Sequence, residues 1–289
     1  MNYSAMIQSR KSVRAFKDVK VATSVLDEIK AYYKDACQRL VPELETELFI
    51  FSDNEKEALE GAAGYNKFLI GASQYMVLLS AKGDLAGLNA GYVMEDMILK
   101  LTEMDLDSCW LTFTDSEKVK AALAITSDKD VVAVAAFGYG AKAPKRLRLN
   151  ILSMSSVDVV AERKYFEPKR SVYDMAFMKT WGNTEGLDEY IGFYDNVLWE
   201  ALYAASLSPS YLNRQAYGFV IDEAHNFILV KRPDEYTTEI DGKLSLGIVM
   251  HHFSCVAEQY SAKVNWSFGK DAVALELPEG YEVVASCKL

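Results

Sequence analysis

Histidine is nearly absent: the 289 residues hold three, His225, His251 and His252. The last two are neighbours, so on a helix they point to different faces and cannot chelate as a pair four residues apart would. No metal site is expected. Cysteine is as sparse. Cys37, Cys109, Cys255 and Cys287 form no CxxC pair, which points to buried free thiols in a reducing cytoplasm. Positive charge is in deficit, with 31 Lys and Arg against 41 Asp and Glu, a net charge of −10. That argues against nucleic acid or an anionic membrane as a partner, since both need a broad basic surface. No apolar run approaches the roughly 18 residues of a membrane span. The opening MNYSAMIQSRKSVRAF has neither the apolar core nor the small-residue cleavage site of a secretory leader. GxSxG, GxGxxG and the P-loop pattern are missing, and with them the usual hydrolase, dinucleotide and nucleotide-phosphate fingerprints. A chain so poor in histidine suits chemistry done by a cofactor, with the protein supplying position and field.

What is present is a soluble composition long enough for one large domain or two moderate ones. A short helix is expected over 3–9. Ser24 and Asp27 read as a capping box for a helix over 25–40. ELFIF, YMVLLS and DVVAVAAFGYG read as strands, and 88–104 as a strong helix. After a connection at 169–189, the second part repeats the alternation: a helix to residue 208, strands YGFVI and FILVKR, a helix over 244–260 and a last strand, YEVVASCKL. Residues 88–110 align without a gap on 244–266, matching Leu88 with Leu244, Gly91 with Gly247, Val93 with Val249, Met94 with Met250 and Trp110 with Trp266. Each copy is followed by a VVA strand, at 131–133 and 283–285. The chain is therefore expected to hold two related halves, 1–168 and 190–289, packed about a pseudo-twofold axis as a dimer made from one polypeptide.

The halves carry different chemistry. Arg10, Lys11, Ser12 and Arg14 fall within five residues at a helix-to-loop junction, a set that suits a phosphate dianion; a solvated basic turn is the plain alternative. Lys145, Arg146 and Arg148 follow a glycine-ended strand and read either as surface charge or as a second cation cluster converging on the same anion. Pro209, Ser210, Tyr211, Asn213 and Gln215 make a turn rich in donors and acceptors. Such a turn either caps a helix or meets one edge of a flat heterocycle.

Together these stretches resemble the FMN-dependent nitroreductase family. SRKSVRAF resembles its N-terminal Arg-Arg-Ser-x-Arg-x-Phe turn, and SLSPSYLNRQAYGF its Ala-Pro-Ser-x-x-Asn-x-Gln-Pro-Trp-x-Phe turn. MDLDSCWLTF resembles its Gly-Leu-Gly-x-x-Trp segment, and VVAVAAFGYGAKAPKRLRL its final strand and basic tail. The resemblance implies an α+β fold, a central mainly antiparallel sheet flanked by helices, and a site shared between two subunits, here between two halves of one monomeric chain, as in a single-chain branch of the family. It implies FMN, with Arg10, Lys11 and Ser12 on the phosphate and ribityl chain and Arg14 near the pyrimidine edge. Lys145, Arg146 and Arg148 would close over the phosphate, and Pro209, Ser210, Tyr211 and Asn213 would line the ring. Leu111 and Thr112 would occupy the loop near N5, and Lys67 would lie near N1. NAD(P)H would serve as co-substrate, with a nitroaromatic, quinone or similar small acceptor reduced in a ping-pong cycle. The alternatives are an FMN-binding protein without turnover, or related flavin chemistry such as dehalogenation or flavin fragmentation. Three departures stand out: Ala216-Tyr217 for Pro-Trp, Asp105-Leu106-Asp107 for Gly-Leu-Gly, and Gly138-Tyr139-Gly140 for Gly-Tyr-Pro.

Overall fold

A computed structural model describes the chain except for residues 65–68, 142–145, 154–155, 163–167, 194–195, 261–262 and 270–274; for 146–153 and 156–162 the backbone alone is described. The elements run α1 (Tyr3–Ser9), α2 (Thr23–Asp35), β1 (Thr46–Ser52), α3 (Lys56–Leu59), β2 (Gln74–Ser80), α4 (Ala86–Glu103), β3 (Asp107–Leu111), α5 (Ser116–Ala122), β4 (Asp130–Gly138), β5 (Arg146–Ser153) and β6 (Ser156–Glu162). They continue with β7 (Ala176–Met178), α6 (Leu187–Phe193), α7 (Val197–Ser206), β8 (Tyr217–Ile221), β9 (Phe227–Lys231), α8 (Glu239–Ala257), β10 (Ser267–Phe268) and β11 (Glu282–Cys287).

The α+β architecture is as expected, but its strands form two principal sheets. One has the order β1-β2-β4-β3 and the other β7-β8-β9-β11-β10, while β5 and β6 make a separate hairpin. Leaving β7 aside, the two orders are the same, element for element in chain sequence. Every pairing is antiparallel except that of β7 with β8. The continuous apolar runs of β2 and β4 are explained by burial on both faces. Met76, Leu78, Ala133 and Ala135 pack toward α4, and Tyr75, Val77, Val134 and Ala136 pack toward α5. In the second sheet Phe219, Phe227 and Leu229 pack toward α8, and Val220, Ile228 and Val230 form the opposite face.

Between the sheets lie α4 and α8. Residues 244–257 of α8 are all buried, the mark of a core helix rather than an amphipathic surface one. The two helices meet at glycines. A methyl group at Gly91 would collide with the Leu244 carbonyl oxygen, and one at Gly247 with the Leu88 carbonyl oxygen. These are the residues that the repeat aligns, so the contact is its own image under a twofold: i meets j and j meets i. Leu88 of α4 packs in the second half's core and Leu244 of α8 in the first half's. The duplication legible in the sequence is the packing interface of the fold.

Two expectations are corrected. The helix expected over 25–40 is α2, which begins at Thr23 after Ala22, with no side-chain cap bond. Val25 and Leu26 already donate to Ala22 O, so Ser24 and Asp27 lie inside the helix rather than capping it. It stops early because the chain is drawn off: Gln38 N donates to Asp96 Oδ2, and the Arg39 guanidinium caps Tyr33 O and Cys37 O. The 169–189 stretch is not a bare connection either, since β7 lies within it as the parallel edge strand of the second sheet.

Gly91→Ala and Gly247→Ala should each lower stability by about 2–3 kcal/mol, because the obstructing atoms are backbone and cannot give way. Gly192→Ala, which faces open space in α6, should be neutral or stabilising by up to ~1 kcal/mol. Urea denaturation of the three variants checks this; a loss confined to one of the two central glycines would contradict the twofold contact.

Candidate functional site

The first half's contribution is fixed by α1. Its Ile7 is buried against Leu99 of α4, Ala204 of α7 and Cys255 and Val256 of α8, so this short helix seats where the halves meet. Arg10 ends it, with N–H donated to Met6 O. The chain then runs as a strap along the end of the first sheet. Val13 N bonds Ser108 O at 2.9 Å, Lys17 N bonds Tyr139 O at 2.8 Å, and Ala141 N bonds Ala15 O at 2.8 Å. Lys11, Ser12 and Arg14 are exposed on this strap, whereas the Arg10 side chain is 7% exposed and turns inward, its Nε 3.5 Å from Glu95 Oε1. Burial pushes the Cys109 thiol of β3 up, and Arg14 and Arg10 pull against it, so both guanidiniums lie near that strand. Leu111 is buried; Thr112 exchanges two bonds with Gly64, N–H to O at 2.7 Å and Oγ1 to O at 3.0 Å.

The second half's contribution is the turn after α7. Three non-glycine residues there have left-handed backbones, Leu212 (φ 47°), Asn213 (φ 55°) and Gln215 (φ 42°). Such conformations cost about 1 kcal/mol or more each and persist only where the surroundings impose them. Here Gln215 imposes them. Its buried carboxamide donates to Ser206 O at 2.6 Å and accepts from Arg170 N at 2.9 Å, while its own N–H bonds Ser210 Oγ. Tyr211 N donates to Ser245 Oγ of α8, and Ser208 Oγ meets Tyr217 OH at 2.5 Å. Burial raises the Tyr217 phenol to about 12, so it stays a neutral hydrogen-bonding group. Pro209 is buried, and Ser210 and Tyr211 are half-buried. Asn213 is already engaged: Nδ2 donates to Pro168 O at 2.8 Å and Oδ1 accepts from Lys169 Nζ at 2.6 Å, the same ammonium reaching Ser208 O at 3.0 Å.

A buried polar chain joins the two contributions. His252 of α8 bonds Ala204 O in α7 at 3.0 Å and Glu95 of α4 at 3.0 Å, and Glu95 faces Arg10. Burial pushes the Glu95 carboxyl up, but His252 and Arg10 outweigh it and hold the group below the usual range. The neighbouring pair is the symmetry image with its residues exchanged. Asp96 accepts from Tyr3 OH, Tyr32 OH and Gln38 N and meets His251 Nε2 at 3.1 Å. There the partners besides His251 all come from the first half: Tyr3 of α1, Tyr32 of α2 and Gln38 just after it.

Of the residues singled out in the sequence, those at 10–14 and at 209–213 are thus tied to one central helix pair. Arg146 and Arg148 sit on the β5–β6 hairpin, which pairs only with itself among the described residues; Lys67 and Lys145 lie outside them. Sequence reasoning missed Lys169 and Arg170, set aside as connection, and Glu95 and His252. The repeat held a signal for the last two: it aligns Glu95-Asp96 on His251-His252, acids opposite bases at positions a twofold brings face to face. Among the described residues no three metal-ligating side chains cluster, and no helix is long and apolar enough to cross a membrane.

The family model described as "Putative TM nitroreductase" matches residues 2–179. The chain belongs to this nitroreductase family. A Thermotoga maritima structure described as a putative nitroreductase aligns over 99% of this chain and 93% of its own, with 16% identity and a TM-score of 0.56, which shows the shared fold. A nitroreductase family protein from Clostridium novyi aligns over 49% of this chain and 86% of its own, at 19% identity and a TM-score of 0.43. An FMN-dependent nitroreductase from Clostridium difficile aligns over 47% and 86%, at 21% and 0.39. No curated protein gives a significant sequence match.

Two departures from the nitroreductase motifs are mutually compensating. Gly140 N donates to Asp107 Oδ2 at 3.0 Å, and a side chain at 140 would strike that carboxylate. An acid where the motif has glycine is thus matched by a glycine, with its N–H, where the motif has proline. Asp105 takes the left-handed conformation (φ 57°) that its motif's glycine would take without strain.

Gln215→Ala should lower stability by about 2–4 kcal/mol, since it strips partners from the buried Ser206 carbonyl and the part-buried Arg170 N–H at once. The urea midpoint should fall with the slope unchanged; a variant within 0.5 kcal/mol of the parent, roughly the scatter of a neutral surface change, would contradict the role given to Gln215.

Proposed function

We propose that the strap at 10–14 and the turn at 209–213 form one composite FMN site, and that the protein is an NAD(P)H-dependent oxidoreductase. The observation that carries this reading is the chain Arg10–Glu95–His252–Ala204 O, which ties both motifs to α8.

The residues fit the ligand. Arg10 Nε is buried without a hydrogen bond, and among the described residues no ion pair engages the exposed Lys11 and Arg14. Arg10, Lys11 and Ser12 would hold the phosphate and ribityl chain and Arg14 the pyrimidine edge. Pro209, Ser210, Tyr211 and Asn213 would line the ring, with Leu111 and Thr112 along its N5 edge. Lys169 joins the set, because its ammonium already sits on Asn213. When bound, FMN supplies two-electron transfer from NAD(P)H to a nitroaromatic, quinone or similar small acceptor, in ping-pong order. The chain's part is electrostatic: fixed cations stabilise negative charge developing at the ring edge, in a site that needs no protein acid or base. One such site is expected, because among the described residues Tyr3, Tyr32 and Gln38 occupy the symmetry-related position around Asp96. The chain then acts as its own dimer in the cytoplasm.

Purified protein should bind one FMN per chain, measured by absorbance against protein concentration; two per chain, or none, would overturn the reading. NAD(P)H oxidation with menadione should give parallel double-reciprocal lines, where intersecting lines would contradict the ping-pong order. Lys169→Ala should weaken FMN binding about tenfold, the worth of one charge-assisted hydrogen bond, as read by quenching of flavin fluorescence.

A further inference from the structure

His252 is fully buried, and an oxygen faces each of its ring nitrogens. Nδ1 is 3.0 Å from the Ala204 carbonyl oxygen and Nε2 is 3.0 Å from Glu95 Oε1. A backbone carbonyl can only accept, and so can an ionised carboxylate. A neutral imidazole carries a single N–H and serves one of them. The arrangement therefore holds one extra proton, on the ring or on the carboxyl. The other neighbours of Glu95 decide which. Trp110 Nε1 donates to Oε2 at 2.9 Å, and the Arg10 guanidinium lies 3.5 Å from Oε1. Both favour the carboxylate, so the proton stays on the ring.

The remaining titratable groups around the pair are Asp96 on α4, His251 and Cys255 on α8, and Tyr217 on β8. Asp96 is committed to His251 and to two tyrosines. Burial is the largest influence on the His252 pKa and, with His251 and Arg10, lowers it; Glu95 pulls the other way, and the two accepting oxygens at 3.0 Å are the ground for keeping the proton on the ring. Of those neighbours, Glu95 is the one in direct hydrogen-bond contact.

We propose that Ala204 O–His252–Glu95–Arg10 is a charged strut, with His252 held as an imidazolium and Glu95 acting as the positioning residue that fixes where Arg10 points. It joins the end of α7, which leads into the 209–213 turn, to the start of the strap, so two hydrogen bonds and a 3.5 Å ion pair set the spacing of the two contributions. Its trio of charges sums to one positive, next to the cations of the strap. The ligand is the FMN proposed for the composite site; the strut itself does not depend on that proposal.

Two experiments test the strut. With 15N-labelled histidine and no flavin added, both His252 ring nitrogens should show imidazolium shifts at pH 8, well above the ordinary value of about 6.5; a neutral tautomer there overturns the proposal. Glu95→Gln keeps the side chain's shape and removes its charge, and the buried ring then loses its proton, so the trio's net charge is unchanged. FMN binding should weaken about tenfold, the order of one hydrogen bond to a charged group, and the imidazolium signal should vanish. Unchanged or tighter binding would show that Glu95 only masks Arg10, and would overturn its positioning role. Should that variant not fold, His252→Gln is the substitute, and unchanged FMN affinity in it overturns the positioning role equally. If the parent takes up no FMN, the functional reading fails while the histidine spectrum still decides the strut.

Discussion

Everything in this molecule is arranged around one contact, the approach of α4 to α8 at Gly91 and Gly247. Each glycine lies against a backbone carbonyl of the opposite helix, closer than any side chain would permit. That closeness lets Leu88 and Leu244 cross into one another's cores, and it places residues 95–96 opposite 251–252. The two sheets stand on either side of this pair. The two aligned segments are the packing core between the halves.

Symmetry at the interface comes with asymmetry of charge. Both acids stand on α4 and both imidazoles on α8, so each pair crosses the axis and neither half can satisfy its buried charges alone. Breaking a buried pair by removing one partner costs about 3–5 kcal/mol, which makes the union of the halves obligatory in electrostatic as well as steric terms. The two pairs have then diverged in what they face. Asp96 and His251 close a position with tyrosines and Gln38, whereas Glu95 and His252 reach Arg10 and the end of α7.

The sequence was most legible where burial alone sets the pattern. The apolar runs of β2 and β4 and the all-round apolar α8 announce elements enclosed on every side, and the gapless repeat announces their duplication. It was least legible where a distant partner decides. Ser24 and Asp27 looked like a cap, but Ala22 O had already begun the helix. The basic run at 145–148 read as a tail, and the hairpin that the backbone of Arg146 and Arg148 forms was not legible in it. Residues 169–178 looked like a connection; β8 recruits three of them as a strand, and Asn213 draws Lys169 onto the turn. The amide-rich stretch at 206–219 was readable as a turn from its composition. Its left-handed backbone was not, because that comes from Gln215 reaching Ser206 O and Arg170 N.

The central claim is that one ligand is held simultaneously by segments about 200 residues apart in sequence, drawn from opposite halves of the chain. Amide hydrogen exchange with and without FMN tests it directly. Protection should appear together over residues 10–17 and 206–215, with no second protected pair elsewhere. Protection confined to one of the two segments, or spread over both halves alike, would contradict the account.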